Sequence, residues 1–289
     1  MRIENNTNNR FNSNSENSKL KKNSRNFTNP LPSYSINDLS SKIDSICLEV
    51  DRLSDRRKAH DVKNIIVLFN FAIEEVENLN SYKKVFITQS VIFLLNIIQS
   101  QFEKWKTNSN SIVNETTISE IIKSLMHYCD IINFLLDQNG IKFHFILDIS
   151  IKNLFLKIPI DEYSFLFVIL NNLISNSINS LQKQDKQINN KEISLQISII
   201  HSGTSNSFVI LVQDNGVGFS DEAIEAFYSK NRFTTNKNTN DHGFGLYNIR
   251  ELVEKVGGKV NIFNDTSGRA NVEIAIPILP SNEFNNNNR

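Results

Sequence analysis

A chain of 289 residues is long enough for two ordinary domains. Its 31 Lys and Arg balance 31 Asp and Glu, so no net field draws it to nucleic acid or to an anionic membrane. Cys47 and Cys129 follow no metal-ligand or redox spacing and read as small buried residues of a reducing compartment. The polar N-terminus has no apolar run, which reads as cytoplasmic and not as secreted.

Residues 1–36 are dominated by Asn and Ser and bury too little apolar surface to offset their ordering entropy, so a disordered tail is expected there. From Ile36 to about Asn78 there is no Gly or Pro, and helix formers dominate. A polar link, Leu79–Tyr82, precedes a second helical stretch from about Lys83 to Lys106. Two long helices joined by a few polar residues predict an antiparallel hairpin over 37–108. Its apolar residues exceed what two helices alone can cover, so two copies forming a four-helix bundle, a homodimer, are expected. The longest uncharged stretch, Val85–Phe102, is interrupted by Thr88, Gln89, Ser90, Asn96, Gln99 and Ser100. It therefore reads as a buried helix and not as a membrane span.

After Thr107–Asn110 the pattern changes. Strands are expected at Ser111–Thr117, Ile141–Leu147, Ile193–Ile200, Phe208–Val212, Lys259–Phe263 and Ala270–Pro277. Helices are expected at Ile118–Leu136, Asp161–Leu181 and Leu246–Val256. This mixture predicts an α+β domain over 109–281, a sheet with helices on one face. Residues 282–289, with the run Asn285–Asn288, read as a second tail.

Six of the nine glycines fall in three short clusters: Gly216 and Gly218, Gly243 and Gly245, Gly257 and Gly258. The first follows an apolar strand as Asp214-Asn215-Gly216-Val217-Gly218. The second precedes a helix as Gly243-Phe244-Gly245-Leu246. A glycine turn that opens a helix presents free N–H groups and the positive end of the helix dipole, which suits phosphate oxygens. Upstream, Asn172 and Asn176 stand four apart and share a face of an otherwise apolar helix.

Asn172-Leu173-x-x-Asn176-Ser177, Asp214-x-Gly216-x-Gly218, Phe233-Thr234-Thr235 and Gly243-x-Gly245-Leu246, in that order, resemble the four ATP-site boxes of the histidine-kinase-type ATPase fold. That fold is an α/β sandwich shared with gyrase, mismatch-repair and heat-shock-chaperone ATPases. The resemblance implies ATP and Mg²⁺ as cofactors. Asn176 would hold Mg²⁺ through its amide oxygen, and Asn172 would support that face. Asp214 would accept from the adenine amino group, and Gly216 and Gly218 would let the chain pass close to the nucleotide. Phe233, Thr234, Thr235 and Lys237 would belong to a lid, with Gly243, Gly245 and Leu246 at the phosphates. Three positions depart from the pattern. Ser177 stands where Ala is usual, an extra Asn236 precedes Lys237, and Tyr247 replaces a frequent glycine.

Of five histidines, His60 is the candidate phosphate acceptor. At about 100° per residue, the stripe Val62, Ile65, Ile66, Phe69, Ile73, Val76 points roughly opposite it, so the imidazole should be accessible. Val67 and Phe71 lie near the same face, an apolar patch that suits docking of another domain. His60-Asp61-x-x-Asn64 resembles a histidine-kinase acceptor box, without the proline of the commoner form. The resemblance implies that His60 attacks the γ-phosphate, Asp61 takes up its proton, and Asn64 orients water in dephosphorylation. A two-component kinase with a separate response regulator receiver domain as partner follows. Two other readings are a serine/threonine kinase of the anti-sigma-factor type and a non-catalytic dimeric scaffold with a decayed ATP site.

Overall fold

The computed structural model describes residues 36–53, 55–76, 79–107, 115–183, 190–202, 205–229 and 245–280. The expected tails and the expected roles of Phe233, Thr234, Thr235, Lys237 and Gly243 lie outside these residues.

The N-terminal region is helical: α1 (Ile36–Asp51), α2 (Arg56–Val76) and α3 (Ser81–Lys106). The stretch expected to run unbroken to Asn78 breaks before α2. Arg52 and Leu53 donate to Glu49 and Val50, three residues back, and close the first helix with a tight turn. The Asp55 carboxylate then accepts from Lys58 N and opens α2. Asn80 caps α3 by accepting from Lys83 N at 3.0 Å, so α2 and α3 form the expected hairpin. The stripe Val62, Ile65, Ile66, Phe69, Ile73 and Val76 is buried throughout. Its cover comes from the same chain. Leu39, Ile43, Ile46 and Val50 of α1 join the core, and α2 and α3 also lie against helices of the C-terminal region. The helical span Tyr82–Lys106 is long and apolar enough to cross a bilayer, yet 56% of its apolar 18-residue window is buried in the protein.

The C-terminal region begins with β1 (Thr116–Thr117) and α4 (Ile118–Gln138). A capping box starts α4: Glu120 N donates to the Thr117 hydroxyl, and Thr117 N donates back to the Glu120 carboxylate. The Thr117 hydroxyl also donates to that carboxylate at 2.7 Å, and with the Thr117 N–H it holds the Glu120 carboxyl below its usual range. Then come β2 (Ile141–Asp148), β3 (Lys157–Ile158), a π-helical stretch at Ser164–Leu170 and α5 (Asn171–Gln182). The rest is β4 (Lys191–Ser202), β5 (Ser205–Asp214), α6 (Asp221–Tyr228), α7 (Gly245–Lys255), β6 (Lys259–Asn264) and β7 (Ala270–Pro277).

Five strands form one sheet in the order β2-β4-β5-β7-β6, with β2 parallel to β4 and the other pairs antiparallel. Period-two alternation sorts the faces. Ile193, Leu195 and Ile197 of β4 are buried, while Ser194, Gln196 and Ser198 point the other way and are half-buried. Helices α4, α5 and α7 pack on the sheet. The π-helical stretch is apolar almost all round, and Phe165, Leu166, Phe167, Ile169 and Leu170 are all buried. It anchors one helix whose continuation, α5, is amphipathic and carries the polar groups of the site.

Candidate nucleotide site

Helix α5 presents a polar stripe, Asn172, Asn176 and Ser180, at i, i+4 and i+8. Gly216 and Gly245 both meet this stripe. At the N-terminus of α7, a Cβ on Gly245 would stand 3.1 Å from Asn172 Oδ1 and 3.6 Å from Asn176 Nδ2. The first contact is tight, so Gly245 lets α7 begin directly over the two asparagines. Asn172 is fixed from below, donating through Nδ2 to Val168 O at 2.9 Å.

At the other end of the stripe, β5 ends in Asp214, whose side chain is almost wholly buried. Gly216 N donates to Asp214 Oδ1 at 3.0 Å, and the Ser177 and Ser180 hydroxyls also donate to the carboxylate. Burial pushes the Asp214 carboxyl above its ordinary range, and the Gly216, Ser177 and Ser180 hydrogen bonds pull against that. Val217 N donates to Ser180 Oγ at 3.1 Å. A Cβ on Gly216 would fall 2.0 Å from Ser180 Oγ and 2.7 Å from Asp214 Oδ1, so only glycine fits. Gly218 has φ +73°, the left-handed region, and its turn is tied to the sheet by Asn264. The Asn264 amide accepts from Phe219 N and donates to Phe219 O, both at 2.8 Å.

Asn172, Asn176, Asp214, Gly216, Gly245 and Leu246 therefore gather along one helix, with Gly218 in the adjoining turn. Sequence reasoning did not single out Ser180 or Asn264, and treated Ser177 only as a departure. Ser180 had a visible signal, because it extends the asparagine spacing by one more turn. Asn264 had none, since its role depends on the pairing of β6 with β7.

His60 lies on the outer face of α2, its side chain 56% exposed. Nδ1 is 3.3 Å from Asn64 Nδ2 and 3.6 Å from Asp61 Oδ1. The second distance is beyond a hydrogen bond. Val67 and Phe71 are exposed on the same helix, and Val85 and Phe86 on α3. This end of α2 lies beside Tyr163. Lys58 sits over Trp105, Trp105 packs edge-on against Tyr163, and Tyr163 sits just before the π-helical stretch. Burial raises the Tyr163 phenol's pKa, and the Asp61 carboxylate adds to the effect. Asn176 lies on the far part of the same helix, about 20 Å further on at the helical rise per residue.

A sheet, the helices on one face of it and a polar stripe that meets Gly216 and Gly245 give a domain of the α/β sandwich class. Residues 161–280 match the model of the family described as "Histidine kinase-, DNA gyrase B-, and HSP90-like ATPase". Among curated relatives, a probable C4-dicarboxylate sensor kinase of Bacillus subtilis (strain 168) is 30% identical over 122 residues, which are 41% of this chain and 21% of that protein. A probable C4-dicarboxylate sensor kinase of Halalkalibacterium halodurans is 34% identical over 113 residues, 39% of this chain and 20% of that protein. The chain thus spans about a fifth of the length of the curated relatives it matches. Among solved structures, the catalytic domain of histidine kinase ThkA is 22% identical, with a TM-score of 0.43, covering 58% of this chain and 98% of that chain. The mycobacterial sensor histidine kinase MprB is 15% identical with a TM-score of 0.41, covering 58% and 98%.

Proposed function

We propose that the chain is a two-component histidine kinase. It transfers the γ-phosphoryl group of ATP to His60 and then passes it to an aspartate on the receiver domain of a separate response regulator. The observation that carries this reading is the convergence of Asn172, Asn176, Asp214, Gly216 and Gly245 along one helix, within a domain that matches the ATPase family.

Each residue has a task that its chemistry suits. The Asp214 carboxylate accepts from the adenine amino group, a contact that guanine, with a carbonyl there, does not offer. The first turn of α7 offers backbone N–H groups to phosphate. Among the described residues no group of three His, Cys, Asp or Glu could cage a metal. That suits Mg²⁺, which keeps several waters and takes few protein ligands beside substrate phosphates. Asn176 would hold it through the hard amide oxygen, and the ion would neutralise charge on the transferring phosphoryl group.

At the acceptor, Asp61 draws the proton onto His60 Nδ1 and leaves the Nε2 lone pair free. Nε2 forms the new N–P bond as the P–O bond to ADP breaks. Asp61 must close on Nδ1 from 3.6 Å to hydrogen-bond distance to stabilise the developing positive ring. Asn64, already beside Nδ1, would orient water when the regulator is dephosphorylated. The functional form is a homodimer in the cytoplasm, and the exposed apolar residues Val67, Phe71, Val85 and Phe86 supply a surface for a partner.

The test is to incubate the full chain with γ-labelled ATP and Mg²⁺ and to locate the label. Acid-labile, base-stable label on His60 is expected. Acid-stable label on serine or threonine would instead give a kinase of the anti-sigma-factor type. No binding of Mg-ATP would give a scaffold with a decayed site.

A further inference from the structure

Helix α7 carries one side chain that the fold leaves unfinished. Asn248 is half-buried, and its Oδ1 is closed off from solvent with no hydrogen-bond partner. Among the described residues it is the only buried side-chain nitrogen or oxygen in that condition. A buried amide oxygen has given up its hydration, and without a donor it gains nothing in return. The packing of α7 does not require an amide there. Ile249 and Val253, both fully buried, hold the helix to the core, and an apolar residue at 248 would leave no polar atom to satisfy.

Its place on the helix narrows where a donor can come from. Asn248 stands three residues after Gly245, so the two share a face. That face begins over the asparagine stripe, since a Cβ on Gly245 would lie 3.1 Å from Asn172 Oδ1 and 3.6 Å from Asn176 Nδ2. Helix α7 packs against α5 and against the π-helical stretch that leads into it. The orphan oxygen is therefore one turn along the wall that borders phosphate and Mg²⁺ in the kinase reading.

The chemistry of Mg-ATP narrows the donor further. Phosphate oxygens accept hydrogen bonds and have none to give at this oxygen. The adenine amino group is matched by Asp214, at the other end of the stripe. A ribose hydroxyl is a donor that ATP offers with or without metal. The remaining donors are the waters of the ion. Mg²⁺ sheds its waters reluctantly and keeps several beside its protein and phosphate ligands, and the ion's charge makes each of them a strong donor. We propose that Asn248 Oδ1 accepts from a water of the Mg²⁺ held by Asn176, so that the site distinguishes metal-bound from metal-free ATP. Asn248 is a positioning residue: it acts through the hydration shell and touches neither phosphorus nor His60. This inference rests on the kinase reading, with Mg²⁺ at Asn176.

Stability and binding of the full chain should move in opposite directions. Asn248→Leu removes the orphan atom, so its melting midpoint without nucleotide should stay level or rise. Its affinity for ATP in saturating Mg²⁺, by calorimetry, should fall about tenfold or more, as for other outer-shell partners of a metal. In EDTA it should bind ATP as the wild type does. An equal loss with and without Mg²⁺ would assign Asn248 to the ribose and overturn the proposal. Undiminished affinity in Mg²⁺ would also overturn it. Asn248→Asp, nearly isosteric, carries the test if leucine fits badly, and it fixes which end of the amide matters, because it can only accept. This variant should saturate at lower Mg²⁺ and keep Mg-ATP affinity within about threefold of wild type, while binding metal-free ATP more weakly. Loss of Mg-ATP binding by Asn248→Asp would mean that Nδ2 faces phosphate, and would overturn the proposal. A wild type that binds Mg-ATP in this metal-dependent way but never labels His60 would defeat the kinase reading and leave the role of Asn248 standing.

Discussion

Helices α5 and α2 each carry a pair of polar residues four apart, Asn172 with Asn176 and His60 with Asn64, and they treat them in opposite ways. On α5 the stripe meets Gly216 and Gly245, Asn172 is tied to Val168 O, and Ser180 is tied to Val217 N. On α2, His60 has Asn64 and Asp61 of its own helix beside it and stands more than half exposed. A nucleotide pocket gains from groups fixed before the ligand arrives, because little ordering remains to be done on binding. An acceptor of the kind proposed for His60, visited in turn by a kinase domain and by a regulator, gains from being uncovered. The same i, i+4 spacing thus serves preorganisation in one helix and access in the other.

Four substitutions, one of them paired with Ser180→Gly, sharpen or break this contrast. The largest effect is expected from His60→Gln, which should abolish acid-labile label. Its melting behaviour should shift by no more than about 0.5 kcal/mol, as for an ordinary surface change. A loss of several kcal/mol in a denaturant titration would mean that α2 depends on this side chain for packing.

Gly216→Ala comes next. The new methyl falls on Ser180 Oγ and Asp214 Oδ1, so overpacking should cost about 1–3 kcal/mol and remove nucleotide binding. Ser180→Gly in the same chain should restore much of the stability but not the binding, since Val217 N and Asp214 then lose their hydroxyl partner. Additive destabilisation in that cycle would show that the two sites do not touch.

Asp214→Asn should separate function from fold. With the carboxyl pKa raised in the folded state, the native protein holds this proton more tightly than the unfolded chain does. The contribution to stability is therefore favourable in acid and declines as pH rises from the ordinary carboxylate value through the raised one. Removing the charge should leave stability at neutral pH equal or higher, flatten that decline, and weaken ATP at least tenfold by calorimetry. A variant that binds ATP normally would take Asp214 out of adenine recognition.

The smallest effect belongs to Gly245→Ala. Its Cβ is tight only against Asn172 Oδ1 at 3.1 Å and in ordinary contact with Asn176 Nδ2 at 3.6 Å, so a shift of a few tenths of an ångström, with the Asn172 bond to Val168 O kept, makes room. ATP affinity should fall only a few-fold. A total loss would mean that the start of α7 tolerates no movement.

Much of this was readable before any fold was known, and for identifiable reasons. The glycines at 216, 218 and 245 stand where backbone passes close to other groups, which is what glycine-rich turns beside an amphipathic helix suggest. The alternation in β4 announced a sheet with one covered face. The break before α2 was announced by Asp55, a good capping residue, but the absence of Gly and Pro nearby masked it. What covers the hairpin could not be read. The period of Val62, Ile65, Phe69 and Val76 says that one side is buried, and says nothing about whether a second copy, α1 or the ATPase domain does the burying. Likewise, nothing local placed the His60 end of α2 beside Tyr163, because that contact joins segments far apart in the chain.

The seven residues in π-helical bonding before α5 have a consequence for locating chemistry on this helix. Each i→i+5 ring holds one residue more than an α-turn, so the stretch Ser164–Leu170 puts the second half of the helix out of phase with the first. Counting around an ideal wheel from Asp161 would aim Asn172 and Asn176 wrongly by about 100°, one residue's worth of rotation. A one-residue deletion within that stretch can therefore relax it to an α-helix and keep both amides facing Gly245, whereas an insertion there swings them away.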